Sequence, residues 1–199
     1  MPNWHEFQRT APDLAAAGAR LFAREGIGWL ATLRKDGAPR LHAIVPLFAA
    51  GEVGVFIPAH SPKRLDLQRD PRYVLHAPLG PHDEEFSIDG TARRIDDDGT
   101  RTALAAVAGH VIRDTDVLFV FDISRCLWAI WEHTGTPDIR VQRSVLLLCT
   151  VPVRRQAQPN DDPVALLRWG LEQTMGVAGQ LFCAHPWNHV VDIAVQVGS

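Results

Sequence analysis

The hydrophobic positions in the first part of the chain form short apolar runs separated by turn signals. Two of these runs, at 27–33 and 40–48, flank the tripeptide Lys35-Asp36-Gly37. Asp-Gly supplies the positive φ angles that a tight turn needs, so this pattern predicts a β-hairpin. Another run, at 53–57, follows the short turn Ala50-Gly51. Strands joined by such short connections form an antiparallel meander.

Later apolar runs predict more strands, with helical patterns before and among them. The additional strands are expected at 72–77, 85–95, 117–123 and 125–131. Gly90 interrupts one of these runs and predicts a β-bulge. Helices are expected at 12–25, with Thr10 as its cap, and at about 97–110, whereas residues 1–9 predict a loose arm. The chain is therefore expected to be mainly β with flanking helices, six or seven antiparallel strands forming a small barrel.

A short helix after the third strand carries the most informative chemistry. Ser61 occupies an N-cap position, Pro62 suits the first helical position, and Asp70 precedes a proline that ends the helix. Lys63 and Arg64 stand in the first turn, where cations oppose the helix dipole. A bound anion would resolve that conflict, so we predict a phosphate site here. The alternative is an ordinary solvated helix with basic residues.

Composition and charge exclude several classes of protein. The chain has 199 residues, enough for one domain with a sizeable core, and a net charge of −3 argues against nucleic-acid binding. Three widely spaced cysteines form no disulfide framework, which favours a reducing compartment. The sequence shows neither a secretory signal nor an apolar run of membrane-spanning length. We therefore expect a cytoplasmic protein without nucleic-acid or membrane partners.

Four segments, taken in order and at their spacing, resemble a known family. They are GIGWLATL at 26–33, DGAPRLHA at 36–43, FIPAHSPKRLDLQRDPR at 56–72 and EEFSIDGTA at 84–92. Together they resemble the pyridoxamine 5′-phosphate oxidase-like family, over roughly residues 12–140. The resemblance implies a six-stranded antiparallel split β-barrel, the FMN-binding split barrel, and a homodimer. Family members bind FMN across the dimer interface, and some relatives use the deazaflavin F420 or heme.

The resemblance also implies particular cofactor contacts. The family lays the backbone of its second strand, here Arg40 to Val45, against the flavin ring, and its phosphate loop resembles Ser61-Pro62-Lys63. The implied cofactor-binding residues are His42, Ala43, Ile44, Val45, Ser61, Lys63, Arg64 and Glu85. Two positions depart from the family pattern, because Leu47 stands where a lysine occurs and Pro62 replaces a basic residue. These departures favour the catalytically varied part of the family over classical vitamin B6 oxidation.

Three classes of function stay open from the sequence. The first is an FMN- or F420-dependent oxidoreductase acting on a small molecule, the second a heme-binding protein, and the third a cofactor-free dimeric binding protein. No side chain is an obvious acid–base catalyst; His42 and His60 are candidates, but such residues more often have no catalytic role. Histidines that could serve as an axial heme ligand are scattered along the chain, at His76, His82, His110 and His133.

The last part of the chain has a different composition. Of the 55 residues from 145 to 199, only 7 are charged. We therefore divide the chain into a split-barrel flavin-binding domain at 1–144 and a C-terminal extension at 145–199. The extension contains Cys183, His185 and His189, but Pro186 interrupts a helix that would align the two histidines. No metal site is therefore predicted.

Overall fold

A computed structural model describes residues 1–134, 139–147 and 191–195 of the chain. These residues contain four α-helices: α1 (Trp4–Thr10), α2 (Pro12–Glu25), α3 (Pro62–Arg69) and α4 (Asp98–Ala106). The strands are β1 (Gly28–Leu33), β2 (Pro39–Ile44), β3 (Leu47–Ala49), β4 (Glu52–Ile57), β5 (Arg72–His76), β6 (Glu85–Ile95), β7 (Val117–Glu132), β8 (Arg140–Leu147) and β9 (Val191–Val195). The fold is mainly β with flanking helices, as the sequence predicts.

The strands form one sheet in the order β2-β1-β5-β6-β7-β4-β3. Every neighbouring pair on this path is antiparallel, and β8 adds antiparallel to β7 while β9 adds parallel to β8. The long strand β7 pairs with β6 on one side. On its other side, its first residues pair with β4 and its later residues with β8. The antiparallel hairpins predicted at the turns 35–37 and 50–51 are confirmed as β1–β2 and β3–β4, but they lie at opposite ends of the path and do not form one continuous meander.

The sheet curls because its two edge strands follow each other in the chain. Strands β2 and β3 lie at opposite ends of the hydrogen-bonded path, yet only Val45 and Pro46 separate them. Ile44 and Leu47 are three residues apart and span at most about 11 Å, so the two edges must come close together. No β2–β3 pairing closes the gap in the part of the chain that the structure describes. The result is a barrel split along one seam, which we call the β2–β3 seam.

Two apolar clusters hold the helices against this sheet. The larger cluster fills the barrel interior, where Phe22 of α2 meets Phe86 of β6 edge to face at 5.9 Å. The smaller cluster lies under α4, whose Leu104 packs with Phe56 and Leu118 from the opposite face of β4 and β7. Strands β4 and β7 are therefore buried on both faces where they pair, which accounts for the continuous apolar runs in their sequences.

The amino terminus differs from the prediction of a loose arm. Residues 4–10 form helix α1, and Trp4 and Phe7 are buried in the main cluster. Asn3 and Glu6 form a reciprocal capping box, with bonds of 3.0 and 3.1 Å. Thr10 does not cap the next helix, because Ala11 occupies that position without a side-chain hydrogen bond. Burial of these two aromatic residues thus stabilises a helix that is too short to show a clear helical pattern in the sequence.

Three strand boundaries also differ from the prediction. The run at 40–48 is two strands, because Pro46 cannot donate a ladder hydrogen bond. The runs at 117–123 and 125–131 are one continuous strand, β7. With β3, β8 and β9 added, the described strands number nine rather than six or seven. The predicted bulge is confirmed, since the β6–β7 register shifts between Asp89 and Gly90.

The predicted division of the chain at 144/145 falls inside β8, and β9 comes from the predicted extension. The assignment of 145–199 as a separate region stays a prediction, because most of it lies outside the described residues. No helix in the described ranges is long and apolar enough to cross a membrane.

Candidate anion and cofactor site

A cavity of about 260 Å³ opens beside the β2–β3 seam. Its walls come from the end of β2, from β4 and from α3, and His110 contributes from the segment after α4. The lining includes Ala43, Ile44, Val45, Val55, Phe56 and Lys63. The structure therefore brings together four of the residues predicted to hold a cofactor: Ala43, Ile44, Val45 and Lys63.

The first turn of α3 lacks the capping interactions that usually satisfy a helix start. Ser61 occupies the N-cap position with φ −69° and ψ 132°, but its side chain accepts no capping hydrogen bond. Pro62 is the first helical residue, and the turn contains no acidic side chain. Ser61 was predicted to cap this helix, and it does so by position only. The helix start thus keeps unneutralised positive character.

Lys63 brings a cationic side chain into this cavity. The residue is half-buried, and burial lowers the pKa of its ammonium group. Within the part of the chain that the structure describes, Lys63 makes no hydrogen bond or ion pair. A partly desolvated cation without a counter-charge is unfavourable, so the position suits an anionic ligand.

Asp66, one turn further along α3, fixes this helix to the barrel. Its carboxylate is buried and accepts hydrogen bonds from Arg40 Nε at 2.6 Å, Thr32 Oγ1 at 3.2 Å and Arg69 Nη2 at 3.3 Å. Burial alone would raise the pKa of Asp66, but the hydrogen bonds from Arg40, Arg69 and Thr32 outweigh it and lower the pKa. Because Arg40 and Thr32 belong to β2 and β1, Asp66 sets where Lys63 stands relative to the seam.

His42 adds an unsatisfied polar group near Lys63. It lies opposite Leu30 in the β1–β2 ladder, and its Nε2 is closed to solvent and without a hydrogen-bond partner among the described residues. Burial lowers the pKa of His42, and the nearby cations Lys63 and Arg40 lower it further, whereas Asp66 raises it. His42 is therefore a buried polar group without a hydrogen-bond partner among the described residues, close to the cation Lys63 but outside the lining of the cavity.

Four of the predicted contacts do not line the cavity: His42, Ser61, Arg64 and Glu85. Arg64 donates to the Ala59 carbonyl and, at 2.8 Å, to Gln68 Oε1, so its guanidinium runs along the helix. Glu85 lies on the outer face of β6, where its Oε1 is 3.2 Å from His76 Nε2. Neither residue lines the cavity beside the seam. The cofactor roles of both stay predictions.

Sequence reasoning missed Asp66 and Phe56, and it named His110 only as one of four scattered histidines that could bind heme. On α3, Asp66 and Leu67 are the buried residues, whereas Leu65 is 52% exposed. A carboxylate between two leucines in a basic helix was the available signal for Asp66. No local pattern marks His110, which reaches the cavity only through the placement of α4.

The described residues contain no cluster of three or more histidine, cysteine or acidic side chains that could hold a metal ion. Cys183, His185 and His189 lie outside those residues. The candidate site is therefore characterised by cations and apolar side chains.

No protein-family model matches the sequence, and no curated protein matches it. Similar solved structures include a pyridoxamine 5′-phosphate oxidase-related, FMN-binding protein from Nostoc punctiforme, with 13% identity, coverage of 67% of this chain and 95% of that chain, and a TM-score of 0.46. A NimC/NimA family protein from Clostridium acetobutylicum is 16% identical, with coverage of 70% and 99% and a TM-score of 0.49.

A heme-binding protein from Mycobacterium smegmatis is 21% identical, with coverage of 64% of this chain and 56% of that chain, and a TM-score of 0.48. The chain thus matches little more than half the length of the Mycobacterium protein. The split barrel described above rests on the strand order of this chain itself. Among the solved structures similar to the chain are pyridoxamine 5′-phosphate oxidase-like proteins, the family that its sequence resembles.

Proposed function

We propose that the chain binds FMN, or the deazaflavin F420, at the cavity beside the seam and acts as an oxidoreductase on a small molecule. The observation that carries this proposal is Lys63, a half-buried cation that lines the cavity and has no partner in the described part of the chain. The resemblance of Ser61-Pro62-Lys63 to the family's phosphate loop supports the same position.

The residues present fit a phosphate-bearing cofactor. Lys63 would contribute a charge-assisted contact to the phosphate, and the first turn of α3 would add the backbone N–H of Lys63, since Pro62 has no N–H and the Arg64 N–H already donates to the Ser61 carbonyl. The exposed residues Ala43 and Val45, at the end of β2, would lie against the ring system. A bound flavin supplies electron or hydride transfer, and the protein supplies binding and orientation.

The size of the cavity supports a second copy of the chain as part of the site. At about 260 Å³ it falls just below the usual range of about 300–1,000 Å³ for a small-molecule site. A whole cofactor would therefore extend beyond it. The outer face of the neighbouring strands exposes Leu41, Trp29 and Val74. We propose that a homodimer covers this face and completes the site.

Heme binding is the second candidate, and one observation favours it. His110 lines the same cavity and carries an imidazole, a common axial ligand of heme iron. The visible absorption spectrum of the purified protein separates the candidates, because flavins, deazaflavins and heme absorb in different bands. A protein without any of these bands would support the cofactor-free dimer.

Titration of FMN and F420 into the wild type and into Lys63→Ala tests the proposed phosphate contact. Loss of one charge-assisted contact, about 1.5–3 kcal/mol, should weaken cofactor binding roughly tenfold to a hundredfold. Lys35→Ala is the matched control, because it removes the same charge from the exposed turn after β1 and should leave affinity unchanged.

Folding should change little in either variant, because neither lysine has a partner among the residues that the structure describes. Equal affinity of Lys63→Ala and the wild type would remove Lys63 from the site. No binding of FMN or F420 by the wild type would contradict the flavin proposal itself.

A further inference from the structure

The charged groups around His42 are mostly cationic. Lys63 faces it from α3, Arg40 from its own strand and Arg34 from the turn after β1. Asp66 is the one acid among the described groups that act on His42, and it is already engaged by Arg40, Arg69 and Thr32. A protonated His42 would therefore add a further positive charge to a site that lacks a counter-charge.

An anion bound at Lys63 would reverse the effect of these charges on the protonation of His42. Two negative charges on a bound phosphate would offset Lys63 and attract a proton to the nearby imidazole. The orphaned Nε2 is the nitrogen that can receive this proton, because it has no partner among the described residues. The effect acts through the electrostatic field and does not require His42 to touch the ligand.

We propose that binding of a phosphate-bearing ligand at Lys63 is coupled to uptake of a proton by His42. The inference rests on the flavin proposal and adds a regulatory property to the same site. Ligand affinity would be greatest at mildly acidic pH and would fall as pH rises.

The direction of the pH effect follows from the two states of the imidazole. In the free protein, burial and the cations lower the pKa of His42, so the ring is mostly neutral at neutral pH. In the complex the dianion raises that pKa, so the ring is protonated over a wider range. Between the two pKa values each bound ligand brings in up to one proton, and affinity decreases with increasing pH.

The test compares FMN affinity at pH 6 and pH 8 in the wild type, His42→Arg and His42→Gln, in buffers free of phosphate. The wild type should lose several-fold more affinity over this range than His42→Arg, and tenfold is the upper limit for a difference of about one pKa unit between free and bound His42. His42→Gln should match His42→Arg in slope. The phosphate of FMN titrates near pH 6 itself, but this contribution is common to all three proteins and cancels in the comparison.

Riboflavin, which lacks the phosphate, is the matched ligand control and should bind with no extra pH dependence in the wild type. The ¹H NMR titration of the His42 ring in the wild type provides a second readout that needs no variant. Its midpoint should move to higher pH when FMN saturates the protein. An unchanged midpoint, or equal pH slopes in wild type and His42→Gln, would overturn the coupling while leaving FMN binding in place. No FMN binding at either pH would overturn both proposals.

Discussion

The buried side chain of Asp66 fixes the position of α3, and with it Lys63, at the candidate site. Its carboxylate joins α3 to β1 and β2 through Arg40, Thr32 and Arg69, all within 3.3 Å. Removing one partner from a buried, hydrogen-bonded ion pair leaves the other charge uncompensated. The position of Lys63 beside the seam therefore depends on a residue that never lines the cavity.

We predict that Asp66→Asn destabilises the fold by about 3–5 kcal/mol at pH 7, as measured by urea denaturation. Asp114→Asn, at an exposed position, should change stability by less than about 0.5 kcal/mol. Because hydrogen bonds lower the pKa of Asp66 below its ordinary value of 3.8, its stabilisation is present above that value and is lost as pH falls below it. The difference between wild type and Asp66→Asn should therefore shrink under acidic conditions. An equal difference at pH 7 and pH 3 would contradict this role.

At this scale the sequence identified Lys63 but not Asp66. A cation in the first turn of a helix is a local conflict with the dipole, and such a conflict is readable from neighbouring residues. The partner of Asp66, Arg40, lies 26 positions away on another element, and no local pattern encodes that contact. Arg64 shows the opposite case. The sequence favours it as a phosphate contact, but in the structure its side chain donates to Ala59 and Gln68.

At the scale of elements, the bulge in β6 is the feature that steric contact explains most directly. A Cβ atom placed on Gly90 would lie 2.0 Å from the carbonyl oxygen of Asp122 on β7. The obstacle is backbone, which cannot move aside as a flexible side chain would. The register shift between Asp89 and Gly90 therefore requires glycine at this position.

We predict that Gly90→Ala lowers the free energy of unfolding by about 1–3 kcal/mol or more, because β6 and β7 must separate locally. Gly99→Ala, in α4, is the matched control. The nearest atom to its added Cβ would be Asp97 Oδ2 at 3.5 Å, an ordinary contact, and alanine is the better helix former. That variant should be about as stable as the wild type or more stable by up to about 1 kcal/mol. Thermal unfolding of both variants measures this difference in stability. A Gly90→Ala protein as stable as the Gly99→Ala protein would contradict the steric explanation.

Elements with short-range signals were predictable, and those defined by distant packing were not. The hairpin turn, the bulge at Gly90 and helix α2 each follow from residues within one element. Helix α1 has only seven residues and is held by Trp4 and Phe7 against the barrel. The sequence of α1 alone therefore could not reveal it, since helices of that length are marginal without tertiary contacts.

At the scale of the whole molecule, the outer face of β2, β1 and β5 is unusually apolar for a surface. Leu41 is 63% exposed, Trp29 is 42% exposed and Val74 is 40% exposed, and the ladder places them on the same side of neighbouring strands. Trp128, by contrast, is partly buried and donates to Glu84 at 2.8 Å, so it is engaged within the chain. We therefore expect Leu41 and Trp29, rather than Trp128, to lie in the interface of the proposed homodimer.

We predict that light scattering gives twice the chain mass for the wild type and the monomer mass for Leu41→Glu at micromolar protein. A charge at the centre of an apolar interface would have to be buried unpaired on association. Val107→Glu is the control, because Val107 is 51% exposed, follows α4, and lies neither on β1, β2 or β5 nor in the lining of the cavity. It should leave the mass unchanged. A monomeric wild type would remove the dimer proposal, and a dimeric Leu41→Glu protein would move the interface elsewhere.

The β2–β3 seam also has a mechanical consequence. The cavity has one wall on the last residues of β2 and another on β4, beside β3, and in the described structure no ladder bond crosses between the two edges. Movement of the two walls apart, with a hinge at Val45 and Pro46, would therefore break no backbone hydrogen bond between β2 and β3. Pro46 has no N–H group to expose during such a movement. Access to the cavity through the seam would therefore depend on side-chain packing rather than on strand pairing.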